Sequence, residues 1–135
     1  MTREEFAEKL RFNYYSYRME GNKVVVTDSN TIMFTTLDSI PSDVEFNSGG
    51  PVYLYSIKDL PYGVIFNNRG DVILDSLKSI SRGVEFNNEG DVRLNSLIYT
   101  SEGSNGWNYN WEGNIKGVDS KRLINAMIKQ GLFER

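Results

Sequence analysis

From Val24 onwards the apolar positions of this chain recur every twenty residues. Val24, Val44, Val64 and Val84 head four rows. Two places on stand Val26, Phe46, Phe66 and Phe86. Further along come Ile32, Val52, Val72 and Val92, then Phe34, Leu54, Leu74 and Leu94, then Leu37, Ile57, Leu77 and Leu97. Ile40, Leu60 and Ile80 make a last column that Thr100 breaks. No insertion disturbs the phase across residues 24–103, and a fixed short period of this kind means stacked units.

Within a row the spacing is not helical. Val64-x-Phe66 and Val72-x-Leu74 alternate with period two, as strands with one buried face do. Leu77 and Ile80 follow at intervals of three, which suits a corner or an irregular arc. A row is too short for a strand plus a packed helix. The pattern therefore predicts a mainly β chain: a right-handed parallel β-solenoid of about four coils, two short strands to a coil. At about 4.8 Å per coil the stack would be roughly 20 Å tall.

The polar columns fit this picture. Asn47, Asn67 and Asn87 align, and stacked asparagines form hydrogen-bonded ladders. Asn30, Gly50, Gly70 and Gly90 share a column, which predicts a tight, left-handed turn. Thr36, Ser56, Ser76 and Ser96 suit a crowded corner, and Pro61-Tyr62-Gly63 suits a type I turn. All of these residues serve as backbone punctuation, and none is assigned to a catalytic site.

The row pattern L-x-S-[LI]-x-x-[LI]-P-x-G-V-x-F-N-N-x-G-x-V-x-L resembles short leucine-rich-repeat-like sequences of bacterial, phage and mobile-element proteins. The asparagines follow Phe instead of preceding the last Leu of a conventional repeat, which favours a tighter β-solenoid over a horseshoe. The resemblance implies a binding scaffold without chemistry of its own.

A solenoid must be capped at both ends. Thr2-Arg3-Glu4-Glu5 forms a capping box before Phe6 and Leu10, which predicts a helix over about residues 3–11. Tyr15-x-Tyr17-x-Met19, a turn at Glu20-Gly21-Asn22 and Val24–Val26 read as a hairpin, so residues 1–23 form the N-terminal cap. Asp119 or Ser120 is expected to start a helix carrying Leu123, Ile124, Met127 and Ile128 and ending at Gly131, with Leu132 and Phe133 folded back; residues 119–135 form the other cap. Residues 104–118 are either an aromatic platform, through Trp107, Tyr109 and Trp111, or a degenerate fifth coil with Ile115 and Val118 in the apolar columns. The whole chain, 1–135, is read as one domain.

Composition narrows the chemistry. There is neither cysteine nor histidine, which removes disulfides, thiolate metal sites, the commonest general base and the commonest transition-metal ligand. No cofactor, metal site or catalytic residue is expected. A net charge of −3 argues against binding nucleic acid through a basic face. The acidic start MTREEFAEKL is unlike a signal peptide and no apolar run reaches the length of a membrane span, so a cytoplasmic protein with no membrane partner is the expectation; that the cytoplasm is a bacterial host's is what the resemblance implies.

Strand alternation points Met33, Tyr53, Tyr55, Ile73 and Arg93 outward in one stripe, with Thr35, Asp75 and Asn95 beside them. Exposed stripes of this composition mark interfaces, so these five residues are the expected contact surface for a protein partner or a homodimer, with Trp107, Tyr109 and Trp111 as a second candidate. The alternative is that Tyr14, Tyr15 and Tyr17 fold across the stripe and bury it. The expected function is a non-enzymatic protein-interaction module, such as a phage or mobile-element inhibitor of a host defence system of the anti-CRISPR type. A carbohydrate-binding solenoid is the alternative; a carbohydrate-cleaving one would draw its carboxylates from Asp71, Asp75, Asp91, Glu45 and Glu85. A self-assembling structural protein is the third reading.

Overall fold

A computed structural model describes residues 1–100 and 110–134. Helix α1 (Arg3–Phe12) begins where the capping box places it: the Thr2 hydroxyl accepts the Glu5 N–H at 3.1 Å. Phe6 and Leu10 are fully buried. The antiparallel hairpin β1 (Tyr17–Glu20) and β2 (Lys23–Val26) follows, turning at Gly21 with φ +58°.

The solenoid is built from β2, β3 (Ile32–Phe34), β4 (Val44–Phe46), β5 (Val52–Leu54), β6 (Asp59–Leu60), β7 (Ile65–Phe66), β8 (Val72–Ile73), β9 (Ser79–Ile80), β10 (Glu85–Phe86) and β11 (Val92–Thr100). Each strand pairs in parallel with its equivalent twenty residues away: Val24 with Val44, Phe46 with Phe66, Phe66 with Phe86, Val52 with Val72, Val72 with Val92. One sheet runs β1-β2-β4-β7-β10, and another β12-β11-β8-β5-β3, where β12 is Asn110–Ile115. The result is a parallel β-solenoid of about four turns with a helix at each end of the chain.

The core is the set of apolar columns. Phe46, Phe66 and Phe86 are buried and stack face to face, with centroids 5.1 Å apart and ring planes within 6°. The two middle coils have a third strand each. Leu60 and Ile80 lie in a two-stranded parallel sheet, β6-β9, where an irregular arc was expected. Their spacing of three from Ile57 and Leu77 marks the corner that leads into this side.

Two polar columns and one turn behave differently from the sequence reading. Asn47 and Asn87 turn outward, to Glu45 at 2.7 Å and Glu85 at 3.2 Å, and Asn67 is exposed. The ladder is built one residue later. Buried Asn68 donates through Nδ2 to the carbonyls of Gly50, Gly70 and Asp71, and Asn88 to those of Gly70, Gly90 and Asp91, all within 3.3 Å. The alternation of Val64 and Phe66 simply continues to residue 68. The glycine column at 50, 70 and 90 is not left-handed. A Cβ on Gly70 would lie 2.6 Å from the Pro51 nitrogen, and one on Gly90 2.6 Å from the Asp71 nitrogen, so the glycines are required by the closeness of adjacent coils. The left-handed column is Asp43, Gly63 and Gly83, with φ of 60°, 80° and 84°. The turn at Pro61 is therefore centred on Tyr62 and Gly63, one residue later than the expected type I turn. The hydroxyl column does brace a corner: Ser56 donates to the Thr35 carbonyl at 2.6 Å, and Ser96 to that of Asp75.

Helix α2 (Gly117–Lys129) starts two residues before Asp119 and without a side-chain cap of its own. Its first amide, on Gly117, is taken by the Asp91 carboxylate at 3.1 Å, so a solenoid residue supplies the cap. Ile124, Met127 and Ile128 are buried, whereas Leu123 faces solvent and Val118 is 64% exposed instead of continuing a core column. The chain reverses at Gly131 (φ +72°), and Phe133 is buried, its carbonyl accepting the Ile80 N–H at 3.1 Å. Strand β12 runs antiparallel to β11, so residues 110–115 form a hairpin arm and not a parallel fifth coil. No helix among the described residues is long and apolar enough to cross a membrane.

Candidate binding surface

Strands β3, β5, β8 and β11 lie side by side, and their alternation drives Val52, Leu54, Val72 and Leu74 into the core. The intervening positions come into one outward register: Met33 beside Tyr53, Tyr53 beside Ile73, Ile73 beside Arg93. Tyr55 joins this face by stacking on Tyr53, with centroids 5.7 Å apart and planes 14° from parallel. All five residues of the expected stripe thus share one face.

They are not equally accessible. Ile73 is only 7% exposed, set between the larger Tyr53 and Arg93, and it belongs to the wall of the face instead of its contact layer. Arg93 is held flat by Asp75, with Nε to Oδ1 and Nη2 to Oδ2 both 2.8 Å, and Asn95 donates to the same carboxylate at 3.2 Å. The hydrogen bonds to Asp75 raise the Arg93 guanidinium above its ordinary range, so it stays charged. Tyr53 and Tyr55 are half-buried, and Met33 is 42% exposed.

The N-terminal tyrosines do not fold across the stripe together. Only Tyr15 reaches it, and it does so at the backbone: its hydroxyl accepts the Met33 N–H at 3.1 Å and donates to the Met33 carbonyl at 3.2 Å. Its ring meets Phe34 edge-on. Tyr17 takes a short hydrogen bond from Arg11, and Tyr14 is 93% exposed. The Met33 side chain is left open.

Met33 also borders a groove of about 400 Å³ between α1 and the first coil, lined among others by Met1, Phe12, Asn13, Thr35 and Asp38. Phe12 is 82% exposed. The sequence reading missed Phe12 and treated Tyr14 only as a cover, although a signal was present. Two residues after buried Leu10 a helical side chain points about 200° away, so Phe12 could not share the core face of α1. The apolar surface is therefore centred on Met33 and Phe12 at the N-terminal end, with the Tyr53–Tyr55 stack beside it.

The carboxylates named for sugar cleavage are each engaged. Asp71 accepts the Asp91 N–H at 2.8 Å, Asp91 that of Gly117, and Asp75 holds Arg93. Glu45 meets Lys23 at 3.4 Å and Asn47 at 2.7 Å. Glu85 meets Asn87. No group of three or more acidic side chains that could hold a metal ion occurs among the described residues. Of the second candidate surface, Trp107 and Tyr109 lie outside the described residues, and the Trp111 backbone pairs with that of Tyr99 in the β11–β12 arm.

Comparisons with family models, with curated proteins and with solved structures gave no match.

Proposed function

We propose that this protein is a non-enzymatic interaction module whose partner is another protein, bound through the outward face of β3 and β5 and the adjoining groove. The observation that carries this reading is the contiguity of exposed Met33 and Phe12 with the Tyr53–Tyr55 stack. Large apolar and aromatic side chains left open together are the usual anchors of protein interfaces. Parallel coils locked by three ladders hold them in fixed positions, so little ordering entropy is lost on docking. The charged Arg93–Asp75 pair would form the polar rim.

The resemblance of the rows to leucine-rich-repeat-like sequences of phages and mobile elements makes a bacterial host protein, such as a component of a defence system, the partner class to test first. This step is one of analogy, as is the cytoplasmic location it entails.

The test is capture from bacterial lysate with the parent protein and with a Phe12→Ser, Met33→Asp, Tyr53→Ala variant. None of these three side chains is buried, so the variant is expected to melt like the parent. A partner retained by the parent and weakened at least about tenfold by the variant supports the reading. A partner bound equally well by both would move the surface elsewhere.

A further inference from the structure

Two sheet edges of this fold are each closed by one side chain. Strand β10 is the last of its sheet, and Asn125 of α2 completes it: Nδ2 donates to the Phe86 carbonyl at 3.0 Å and Oδ1 accepts the Phe86 N–H at 2.8 Å. Buried Lys121 extends this closure, donating to the Asn88 carbonyl and, at 2.6 Å, to that of Gly90. Strand β3 ends the other sheet, where the Tyr15 hydroxyl serves both polar groups of Met33. Strand β1, at the opposite edge from β10, has no such closure among the described residues. The Thr27 N–H donates to the Ser16 carbonyl at 2.9 Å, which sets the alternation of the hairpin: Ser16, Arg18 and Glu20 turn their backbone groups towards β2, and Tyr17 and Met19 turn theirs away. Among the described residues the outward N–H and carbonyl groups of Tyr17 and Met19 meet no partner. Arg18, Met19 and Glu20 are exposed.

We propose that β1 is a docking edge for a second copy of this chain, which adds its own β1 antiparallel across a two-fold axis at Met19. A two-fold axis beside an edge strand makes the strand and its copy antiparallel, and only the outward residues can exchange backbone hydrogen bonds. With Met19 on the axis, each Met19 N–H donates to the Met19 carbonyl of the other copy. Arg18 then lies opposite the other copy's Glu20, and Glu20 opposite its Arg18. These two side chains already meet at 3.4 Å within one strand, so four charges alternate in sign around the axis. Opposite charges directly across a sheet stabilise the pairing, and a shift of two residues either way would set Arg18 against Arg18 or Glu20 against Glu20. Tyr17 falls opposite Gly21 of the other copy, where a Cβ would meet nothing within 4 Å, so the approach is open. An unrelated strand would gain the backbone bonds alone, whereas a second copy also matches both charges. The pairing uses each β1 edge up, so association stops at a dimer.

The experiment uses the full chain as the parent, as Arg18→Glu, and as the charge-reversed pair Arg18→Glu, Glu20→Arg. Both side chains are exposed, so the three proteins are expected to melt alike. Arg18→Glu crowds four carboxylates around the axis, and the reversed pair restores the alternation of charge. Light scattering over a concentration series up to about 1 mM is expected to report a dimer for the parent and the reversed pair and a monomer for Arg18→Glu. Hydrogen exchange supplies the location: the Met19 amide of the parent is expected to gain at least about tenfold protection from the low to the high end of the series. That measurement needs no substitution, so it stands should a variant fold poorly. The Phe12→Ser, Met33→Asp, Tyr53→Ala variant should dimerise as the parent does, which separates this edge from the face proposed above. A parent that stays monomeric, a dimer that Arg18→Glu leaves intact or that the reversed pair fails to restore, or Met19 exchange independent of concentration would each overturn the proposal.

Discussion

Phe66 lies face to face with Phe86 at a centroid distance of 5.1 Å, and with Phe46 at the same distance on its other side. It is the middle ring of a buried three-ring column, so its removal leaves a void that neither neighbour can fill without leaving its own coil. Phe66→Ala is expected to lower unfolding free energy by about 3–5 kcal/mol in denaturant titration, a large fraction of what a domain of this size possesses. A loss of under about 1 kcal/mol would mean that the column relaxes far more than a close-packed solenoid permits.

Neighbouring asparagines should respond in opposite ways. Asn68 is buried with its amide nitrogen against three carbonyls, while Asn67 is exposed. Asn68→Asp would set a carboxylate against those oxygens and is expected to cost more than about 3 kcal/mol. Asn67→Asp should stay within about 0.5 kcal/mol of the parent. Thermal melts of the two single variants decide it.

Two glycines separate steric need from backbone conformation. Gly70→Ala would drive a methyl group into the Pro51 backbone at 2.6 Å, although its φ is not positive. Gly21→Ala meets nothing within 4 Å but must hold φ +58°. The first is expected to cost about 1–3 kcal/mol or more through coil separation, the second about 1 kcal/mol through strain. Equal costs would show that the coils can slide apart freely.

Tyr15→Phe removes one hydroxyl that serves both polar groups of Met33 and leaves the edge contact with Phe34 in place. The expected loss is about 1–2 kcal/mol. Hydrogen exchange should report it locally, as lost protection of the Met33 amide with the solenoid amides unchanged.

Arg93→Met is expected to change stability by less than about 1 kcal/mol, because its ion pair with Asp75 is partly exposed and screened. If the stripe is an interface, the same substitution should change the salt dependence of binding more than the melting temperature. Binding measured at two ionic strengths distinguishes the two effects.

The column alignment of Val44/Phe46 and Val52/Leu54 determined the parallel stacking, its register and the core, because a strict period leaves each coil one way to bury the same residues as its neighbour. Thr2 and Glu5 likewise determined where α1 begins, since a capping box is a local interaction. Period two even implied that Asn68, not Asn67, turns inward, once the alternation is carried past Phe66. What the sequence could not determine was contact between residues that no period relates. Gly117 begins α2 because Asp91 is there to take its amide. Lys121 is buried, and Asn125 is held against Phe86, because an unfinished coil lies beneath them. Ile73 is covered because Tyr53 and Arg93 flank it, while Met33 stays open because Tyr15 binds its backbone and not its side chain. Each of these depends on which surfaces meet after the coils have stacked, and only the tertiary structure decides that.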